Sequence, residues 1–193
     1  MGWQTILASM RKDWHNVPNL LGLLRLVLAP VPALLIALHP TDHTYWWAAL
    51  VVFVLLAATD KVDGYVARRF NMQTAWGKVL DPIADKALVF PVFVTLVVIL
   101  NTPILWVALV IMAAREVHVT ALLKAGDYAK GTVVSARQSG RVKMVAQVAL
   151  LVVTLVPVTP IVVTNCTAAI VTGIALYSWV DYIMAARAAA PRS

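Results

Sequence analysis

Six apolar runs of about twenty residues, separated by five breaks of which one is long, constrain this chain more than any other feature of its sequence. They cover residues 20–38, 45–66, 79–100, 103–123, 140–156 and 161–186. A helix needs about 20 apolar residues to cross roughly 30 Å of hydrocarbon. Helical spans also satisfy their own backbone hydrogen bonds, which lipid cannot do. We therefore predict an all-α, polytopic membrane protein with six transmembrane helices.

The composition agrees with a membrane rather than a soluble core. Hydrophobic residues make up 61% of the 193 residues and charged residues only 13%, against about 25% charged in soluble domains. The single Cys166 excludes an internal disulfide and a multi-cysteine metal site. We expect a six-helix domain over residues 16–187 and a short tail over 188–193.

Residues 1–15 are too short to form a span, but their apolar side chains recur at helical spacing. Trp3, Ile6, Leu7, Met10 and Trp14 form this pattern, with two basic residues nearby. The pattern predicts an amphipathic helix lying on the membrane surface, and a frayed N-terminal tail is the alternative.

The distribution of Lys and Arg predicts the orientation. None of the 16 basic residues lies in the three loops 39–44, 101–102 and 157–160. Because basic loops stay in the cytoplasm, we expect both termini and the basic face to be cytoplasmic, in a cell inner membrane. The net charge of +7 then favours anionic headgroups and anionic small molecules. We expect no nucleic-acid partner, since the chain lacks an exposed basic domain.

Four of the nine acidic residues fall within residues 60–85: Asp60, Asp63, Asp81 and Asp85. Spacings of three and four place each pair on one face of a helix. The short connection between the two apolar runs makes the helices antiparallel neighbours, so we expect the four carboxylates to converge. A charged side chain within a span costs commonly about 3 kcal/mol, and a cation must compensate for it.

Two divalent ions, Mg²⁺ or Mn²⁺, are the compensation that carboxylate oxygens favour. A salt-bridge network with Lys61, Arg68 and Lys86 is the structural alternative. The acids sit at one end of the spans and no ladder of acids crosses the membrane, which argues against a small divalent-cation transporter. Small residues and an arginine beside acids at a membrane surface favour phosphoryl transfer on a lipid-linked diphosphate.

Residues 60–85 read Asp-x2-Asp-Gly-x2-Ala-Arg-x8-Gly-x3-Asp-x3-Asp. This pattern resembles the signature of the CDP-alcohol phosphotransferase family at all eight of its fixed positions. The resemblance implies a six-helix homodimer in which the four aspartates hold two divalent metal ions and Asp85 is the general base. It implies that CDP is bound by five positions, namely Asp63, Gly64, Ala67, Arg68 and Gly77.

Four further segments, residues 16–25, 113–119, 139–147 and 176–188, resemble one branch of this family. That branch joins CDP-diacylglycerol to sn-glycerol 3-phosphate and releases CMP. Phosphatidylinositol-phosphate synthase and the CDP-alcohol type of cardiolipin synthase share the motif, and remain open as alternatives.

An acceptor that carries a phosphate requires a second basic pocket. The candidates are Arg115, Arg137, Arg141, Lys143 and Lys124, and the alternative for Lys124 is a charge that only snorkels to the membrane surface. Glu116 either orients Arg115 or is merely its ion-pair partner. Arg25 either approaches the diphosphate or snorkels to the surface.

Overall fold

The computed structural model describes residues 17–69, 77–130 and 138–188, and within these ranges the regular structure is entirely α-helical. The helices are α1 (Val17–Leu28), α2 (Val31–Leu38), α3 (His43–Arg69), α4 (Gly77–Leu100), α5 (Pro103–Lys130), α6 (Gln138–Leu155) and α7 (Ile161–Ala188). The predicted all-α class is confirmed. The predicted interfacial helix over residues 1–15 lies outside the described residues, as does nearly all of the tail.

The first apolar run is not one continuous helix. It breaks at Ala29 and Pro30, where α1 ends and α2 begins. Proline has no N–H to donate, and its ring collides with the carbonyl of the preceding turn, so two prolines at positions 30 and 32 interrupt the helix. Both prolines were visible in the sequence, but a hydropathy window does not register the hydrogen bonds that they remove.

The other helices begin and end within a few residues of the apolar runs, except at the end of α5. That helix continues to Lys130, seven residues beyond the predicted end at position 123. The extension carries alanines and lysines, which are strong helix formers and outweigh the single Gly126. The helix end that we expected at position 123 was therefore placed too early.

Four segments of the described chain are long and apolar enough to cross a membrane: Leu20–Leu38, Ile83–Leu100, Pro103–Ala121 and Ile161–Ala185. In α3 the apolar segment His43–Thr59 is shorter than a span, because the last turns carry the acidic motif. In α6 the first two turns carry Arg141 and Lys143. The chain is thus a multi-pass membrane protein, and the count of six spans stays a prediction.

The chain forms two compact units. The first contains the helices up to Ile99, together with Leu155–Pro157, and in it α3 packs against both α1 and α2. Its core includes Ile36, Phe53 and Phe93, each no more than 1% exposed. In α1 and the residue that follows it, the buried positions Gly22, Arg25 and Ala29 recur at helical spacing, which places an arginine on the face that packs.

The connection between α2 and α3 is closed by local hydrogen bonds. The carboxylate of Asp42 accepts a hydrogen bond of 2.8 Å from the backbone N–H of Thr44, and Trp46 Nε1 donates to the carbonyl of Pro40. Hydrogen bonds from the backbone and the side chain of Thr44 lower the pKa of the Asp42 carboxyl. This turn fixes the start of the helix that carries the first half of the acidic motif.

The second unit contains α5, α7 and all but the last residue of α6. Helices α5 and α7 pack closely, and each buries a stripe at helical spacing. On α5 the stripe includes Leu105, Ala108, Met112 and Arg115, and on α7 it includes Ala168, Ala175, Ser178 and Tyr182. Small residues let membrane helices approach closely. At one end of the interface, the buried positions of these stripes are polar: Arg115, Ser178 and Tyr182.

The start of α5 is tied to the start of α7. Thr102 Oγ1 accepts a hydrogen bond from the N–H of Leu105 and donates one of 2.9 Å to Asn165 Oδ1. Pro103 follows as the first helical residue, where a missing N–H does no harm. Asn101, with a φ of 46°, makes the sharp turn before it, a conformation that asparagine tolerates. These contacts fix the register of α5 on α7.

Candidate active site

The eight fixed motif positions lie at the end of α3 and the start of α4. The first five of them fall in the last three turns of α3, and Gly77 is the first residue of α4. Asp85 is the one motif aspartate whose side chain is described. The side chains of Asp60, Asp63 and Asp81, and residues 70–76 between the helices, lie outside the described part of the structure. The convergence of the four carboxylates therefore stays a prediction.

Asp85 is half-buried and pairs with a fully buried arginine from α1. Arg25 Nη1 lies 3.6 Å from Asp85 Oδ1, and the arginine side chain is 1% exposed. This burial excludes the alternative that Arg25 snorkels to the membrane surface. A second contact between the same helices lies one turn away, because a Cβ at Gly22 would be only 2.8 Å from Leu80 Cδ2. The glycine thus permits the close approach that brings Arg25 to Asp85.

The motif aspartates are suited to hard divalent ions, since an aspartate side chain supplies only oxygen ligands. Among the described residues, no three His, Cys, Asp or Glu side chains are grouped so that they could hold a metal ion, and three of the four motif carboxylates are not among those residues. One of the two Asp85 oxygens faces Arg25. The predicted metal residues are therefore chemically suited to Mg²⁺ or Mn²⁺.

A second polar cluster forms in the second unit around Glu116. Lys143 Nζ from α6 donates to Glu116 Oε2 at 2.9 Å, and Arg115 Nη1 lies 3.3 Å from the same oxygen. The side chains of Arg115 and Lys143 are 5% and 9% exposed, whereas that of Glu116 is 24% exposed. The structure thus brings together two of the predicted phosphate-binding residues on one carboxylate oxygen.

Arg115 is positioned mainly by α7. Its Nη2 donates a hydrogen bond of 2.8 Å to Ser178 Oγ, and its guanidinium lies 5.2 Å from the centroid of the Tyr182 ring. Its buried Nε has no hydrogen-bond partner among the described residues. A buried guanidinium held on one side by a hydroxyl and an aromatic face keeps donor capacity for an anion.

The position of Tyr182 depends on a glycine in α6. A Cβ at Gly140 would lie 3.0 Å from Tyr182 Oη, so a larger residue would displace the ring that faces Arg115. Ser178 and Tyr182 are four residues apart and therefore share one face of α7. Helices α5, α6 and α7 each contribute to the same cluster.

One further predicted acceptor residue, Arg141, is described, and it does not join this cluster. Arg141 lies on α6 two residues before Lys143 and is exposed, since positions two apart point to different faces of a helix. Arg137 lies outside the described residues, and the side chain of Lys124 is likewise not described. The structure therefore separates Arg141 from Arg115 and Lys143.

A cleft of about 390 Å³ opens between α6 and α7. Ser139 Oγ donates a hydrogen bond of 2.6 Å to Asp181 Oδ2 at its polar end. Its lining residues are Gln138, Ser139, Val142, Ile174, Tyr177 and Asp181. Arg115 and Lys143 do not line the cleft, so it is distinct from the cluster around Glu116.

Two partners of Arg115, Ser178 and Tyr182, were not predicted from the sequence. A signal was present: both lie on one face of a mostly apolar helix, at the same end as Asp181. Polar residues within a span face the protein interior, which would have marked that face as a partner for a buried cation. Which cation it meets is set by the packing of α7 on α5, and the sequence does not reveal it.

Comparison with known proteins extends this description to nearly the whole chain. The family model described as CDP-alcohol phosphatidyltransferase matches residues 15–185. Three relatives, from Bacillus subtilis, Pseudomonas fluorescens and Escherichia coli K12, are each named CDP-diacylglycerol–glycerol-3-phosphate 3-phosphatidyltransferase.

The similarity to these relatives is substantial. The Bacillus protein is 37% identical over 146 residues, covering 69% of this chain and 72% of the relative. The Escherichia protein is 37% identical over 139 residues, covering 70% and 74%. The Pseudomonas protein is 43% identical over 109 residues, which span about half of each chain, 55% and 54%.

Proposed function

The chain belongs to the CDP-alcohol phosphatidyltransferase family, and on that premise we propose that it transfers the phosphatidyl group of CDP-diacylglycerol to sn-glycerol 3-phosphate, with release of CMP. The names of its relatives from three bacteria support this reaction. The observation that carries the choice of acceptor is the convergence of Arg115 and Lys143 on one oxygen. Two buried cations at one point suit an acceptor that bears a phosphate.

The donor and its metal ions belong to the acidic motif. Members of this family generally depend on divalent metal ions. Asp60, Asp63, Asp81 and Asp85 would hold two ions, Mg²⁺ or Mn²⁺, and these would neutralise the diphosphate charge and the departing CMP. The CDP group would contact five motif positions, namely Asp63, Gly64, Ala67, Arg68 and Gly77. The two glycines and the alanine leave the backbone accessible to a nucleotide.

Asp85 acts as the general base in this reaction. It takes the proton from the acceptor hydroxyl as that oxygen attacks the phosphorus next to diacylglycerol. The new oxygen–phosphorus bond forms while the bond from this phosphorus to CMP breaks. Arg25 fixes the orientation of the base, because it is buried and lies 3.6 Å from Asp85 Oδ1. A base must be held within hydrogen-bonding reach of the proton that it removes.

The acceptor phosphate binds to Arg115 and Lys143. Arg137 stays a predicted further contact, whereas Arg141 is exposed on another face of α6. Ser178 and Tyr182 support this role by holding the Arg115 guanidinium in place. A guanidinium can grip a phosphate through two parallel hydrogen bonds. Lys143 adds a point charge from a different helix, so the pocket would discriminate against uncharged alcohols.

The protein works in the cell inner membrane with six spans, both termini and the reaction on the cytoplasmic side, and as a homodimer. The absence of Lys and Arg from the three loops 39–44, 101–102 and 157–160 supports this orientation. The exposed apolar side chains of α4, such as Val94 and Val98, suit contact with lipid or with a second copy.

The acceptor is tested by incubating the purified protein with CDP-diacylglycerol and one alcohol at a time, and measuring CMP release. We expect release with glycerol 3-phosphate and none with free glycerol or free inositol. Release with inositol phosphate but not with glycerol 3-phosphate would place the chain in a sister branch of the family. If none of the phosphorylated alcohols supports CMP release in the presence of metal, the proposed acceptor site is contradicted.

A further inference from the structure

The carboxylate of Glu116 occupies a position that a phosphate oxygen would also favour. A single oxygen, Oε2, lies 2.9 Å from Lys143 Nζ and 3.3 Å from Arg115 Nη1. Oxygens of phosphate groups bind lysine and arginine at the same distances and with the same charge complementarity. The protein therefore places an anion of its own between the two cations proposed to receive the acceptor.

The burial of the three side chains is unequal. Both cations are at least nine-tenths buried, whereas Glu116 is 24% exposed. Ser178 and the Tyr182 ring hold Arg115 independently of Glu116. If one member of the trio moves, it is thus the glutamate, because it alone retains access to solvent and its departure leaves Arg115 anchored.

The charges of these three side chains predict how Glu116 changes the binding of an anion. Two cations and one anion leave a net charge of +1, and removal of Glu116 from between the cations raises this to +2. Close charges interact strongly where solvent is scarce. An anion that binds here therefore binds more weakly while Glu116 stays in place.

From this geometry we infer that Glu116 is a built-in competitor of the acceptor phosphate. The competition with the acceptor rests on the proposed function. The binding of an anion to the two cations does not. In the free protein Glu116 neutralises part of the charge on Arg115 and Lys143 and keeps the two buried cations from repelling each other. The phosphate of the acceptor displaces Glu116 towards solvent and takes its hydrogen bonds. The affinity for the acceptor is consequently set below the value that the two cations alone would give.

The opposite possibility is a permanent ion pair that links α5 to α6 and orients Arg115. Both arrangements predict that loss of Glu116 lowers the stability of the free protein, because buried cations lose their partner. They differ in the affinity for the acceptor that each predicts when Glu116 is lost. A permanent orienting pair predicts weaker binding of the acceptor without Glu116, and a competitor predicts tighter binding.

The test compares Glu116→Gln with the intact protein at saturating CDP-diacylglycerol and varied glycerol 3-phosphate. Glutamine keeps the size of the side chain and removes its charge. We expect the acceptor KM to fall by about threefold or more. The upper limit is roughly tenfold, because a charge-assisted interaction of a part-exposed group contributes no more than that. The KM for CDP-diacylglycerol stays unchanged. An acceptor KM that is equal to or higher than that of the intact protein overturns the inference.

Asp42→Asn is the matched control. It removes one carboxylate charge from an exposed turn and leaves the acceptor KM as it is. If Glu116→Gln does not fold, Glu116→Asp replaces it, because the shorter side chain draws the carboxylate away from both cations. This variant also lowers the acceptor KM if Glu116 competes, and raises it if Glu116 orients Arg115.

Inorganic phosphate gives a readout that does not depend on turnover. In thermal unfolding of the purified protein without substrates, phosphate raises the melting temperature of Glu116→Gln more than that of the intact protein. Equal shifts overturn the inference. If the intact protein releases no CMP with glycerol 3-phosphate, the proposed function fails, and the phosphate measurement still decides the role of Glu116.

Discussion

Arg25 Nη1 lies 3.6 Å from Asp85 Oδ1, which pairs a fully buried arginine of α1 with the last aspartate of the motif on α4. The arginine therefore remains within the protein instead of extending to the membrane surface. A buried cation beside a half-buried carboxylate keeps that carboxylate oriented. The relationship links a residue outside the family motif to the proposed general base.

Replacement of Arg25 tests this relationship. Arg25→Met leaves Asp85 without its buried cation, and we expect the free energy of unfolding to fall by about 1–3 kcal/mol, less than for a fully buried pair because Asp85 is partly exposed. The rate of CMP release falls while the acceptor KM stays the same. Arg25→Lys, which keeps the charge, recovers part of both losses. Thermal unfolding in detergent and steady-state kinetics measure these effects, and an Arg25→Met protein as active as the original would contradict them.

Lys143→Met tests the basic cluster directly. It removes one of the two cations proposed to bind the acceptor phosphate, and a charged hydrogen bond of this kind contributes roughly 1.5–3 kcal/mol. We expect the acceptor KM to rise about tenfold or more and the KM for CDP-diacylglycerol to change little. Arg187→Gln, which alters an exposed arginine in the last turn of α7, is the control. A rise confined to the KM for CDP-diacylglycerol would show that Lys143 serves the donor.

The approach of α1 to α4 is tested at Gly22. A Cβ there meets the buried Leu80 at 2.8 Å. Gly22→Ala is expected to be near neutral, because its gain in helix propensity of about 1 kcal/mol offsets the strain. Gly22→Val adds two methyl groups and is expected to cost about 1–3 kcal/mol.

A double-mutant cycle identifies the contact responsible. In a Leu80→Ala background the cost of Gly22→Val should be smaller, because the space taken by the valine has been vacated. Thermal unfolding of the four proteins measures the coupling. Additive costs would show that Leu80 is not the residue that limits size at position 22.

Removal of divalent metal ions should stop turnover. Four aspartates and no cysteine or histidine cluster in the motif indicate oxygen-binding ions rather than zinc. A chelator in excess should abolish CMP release, and added Mg²⁺ or Mn²⁺ should restore it. If a protein shown by elemental analysis to be metal-free keeps full activity, the salt-bridge network with Lys61, Arg68 and Lys86 becomes the better account of the acidic motif.

The sequence predicted the helices well because apolar runs and their breaks depend on local properties. Helix α4 begins two residues before its predicted start, and α7 ends two residues after its predicted end. The interruption at Pro30 and the extension of α5 to Lys130 were missed. The interruption depends on two prolines, and the extension depends on the helix propensity of a mostly polar segment. An average of hydropathy over a window registers neither.

The site was predicted less completely, because contacts between helices depend on packing. Arg115 and Lys143 were both candidates, but their convergence on Glu116 follows from how α5 and α6 face each other. The pairing of Arg25 with Asp85 spans sixty residues of sequence. Residue type and spacing indicate which side chains carry the chemistry, whereas tertiary packing decides which of them meet.

The most direct test of the central claim follows both products of one reaction. Purified protein is incubated with CDP-diacylglycerol, radiolabelled sn-glycerol 3-phosphate and Mg²⁺, and lipid-soluble label and free CMP are measured together. We expect labelled phosphatidylglycerophosphate and CMP to form in equal amounts, and neither to form with Asp85→Asn. Release of CMP without label in the lipid would show that glycerol 3-phosphate is not the acceptor, and would contradict the account.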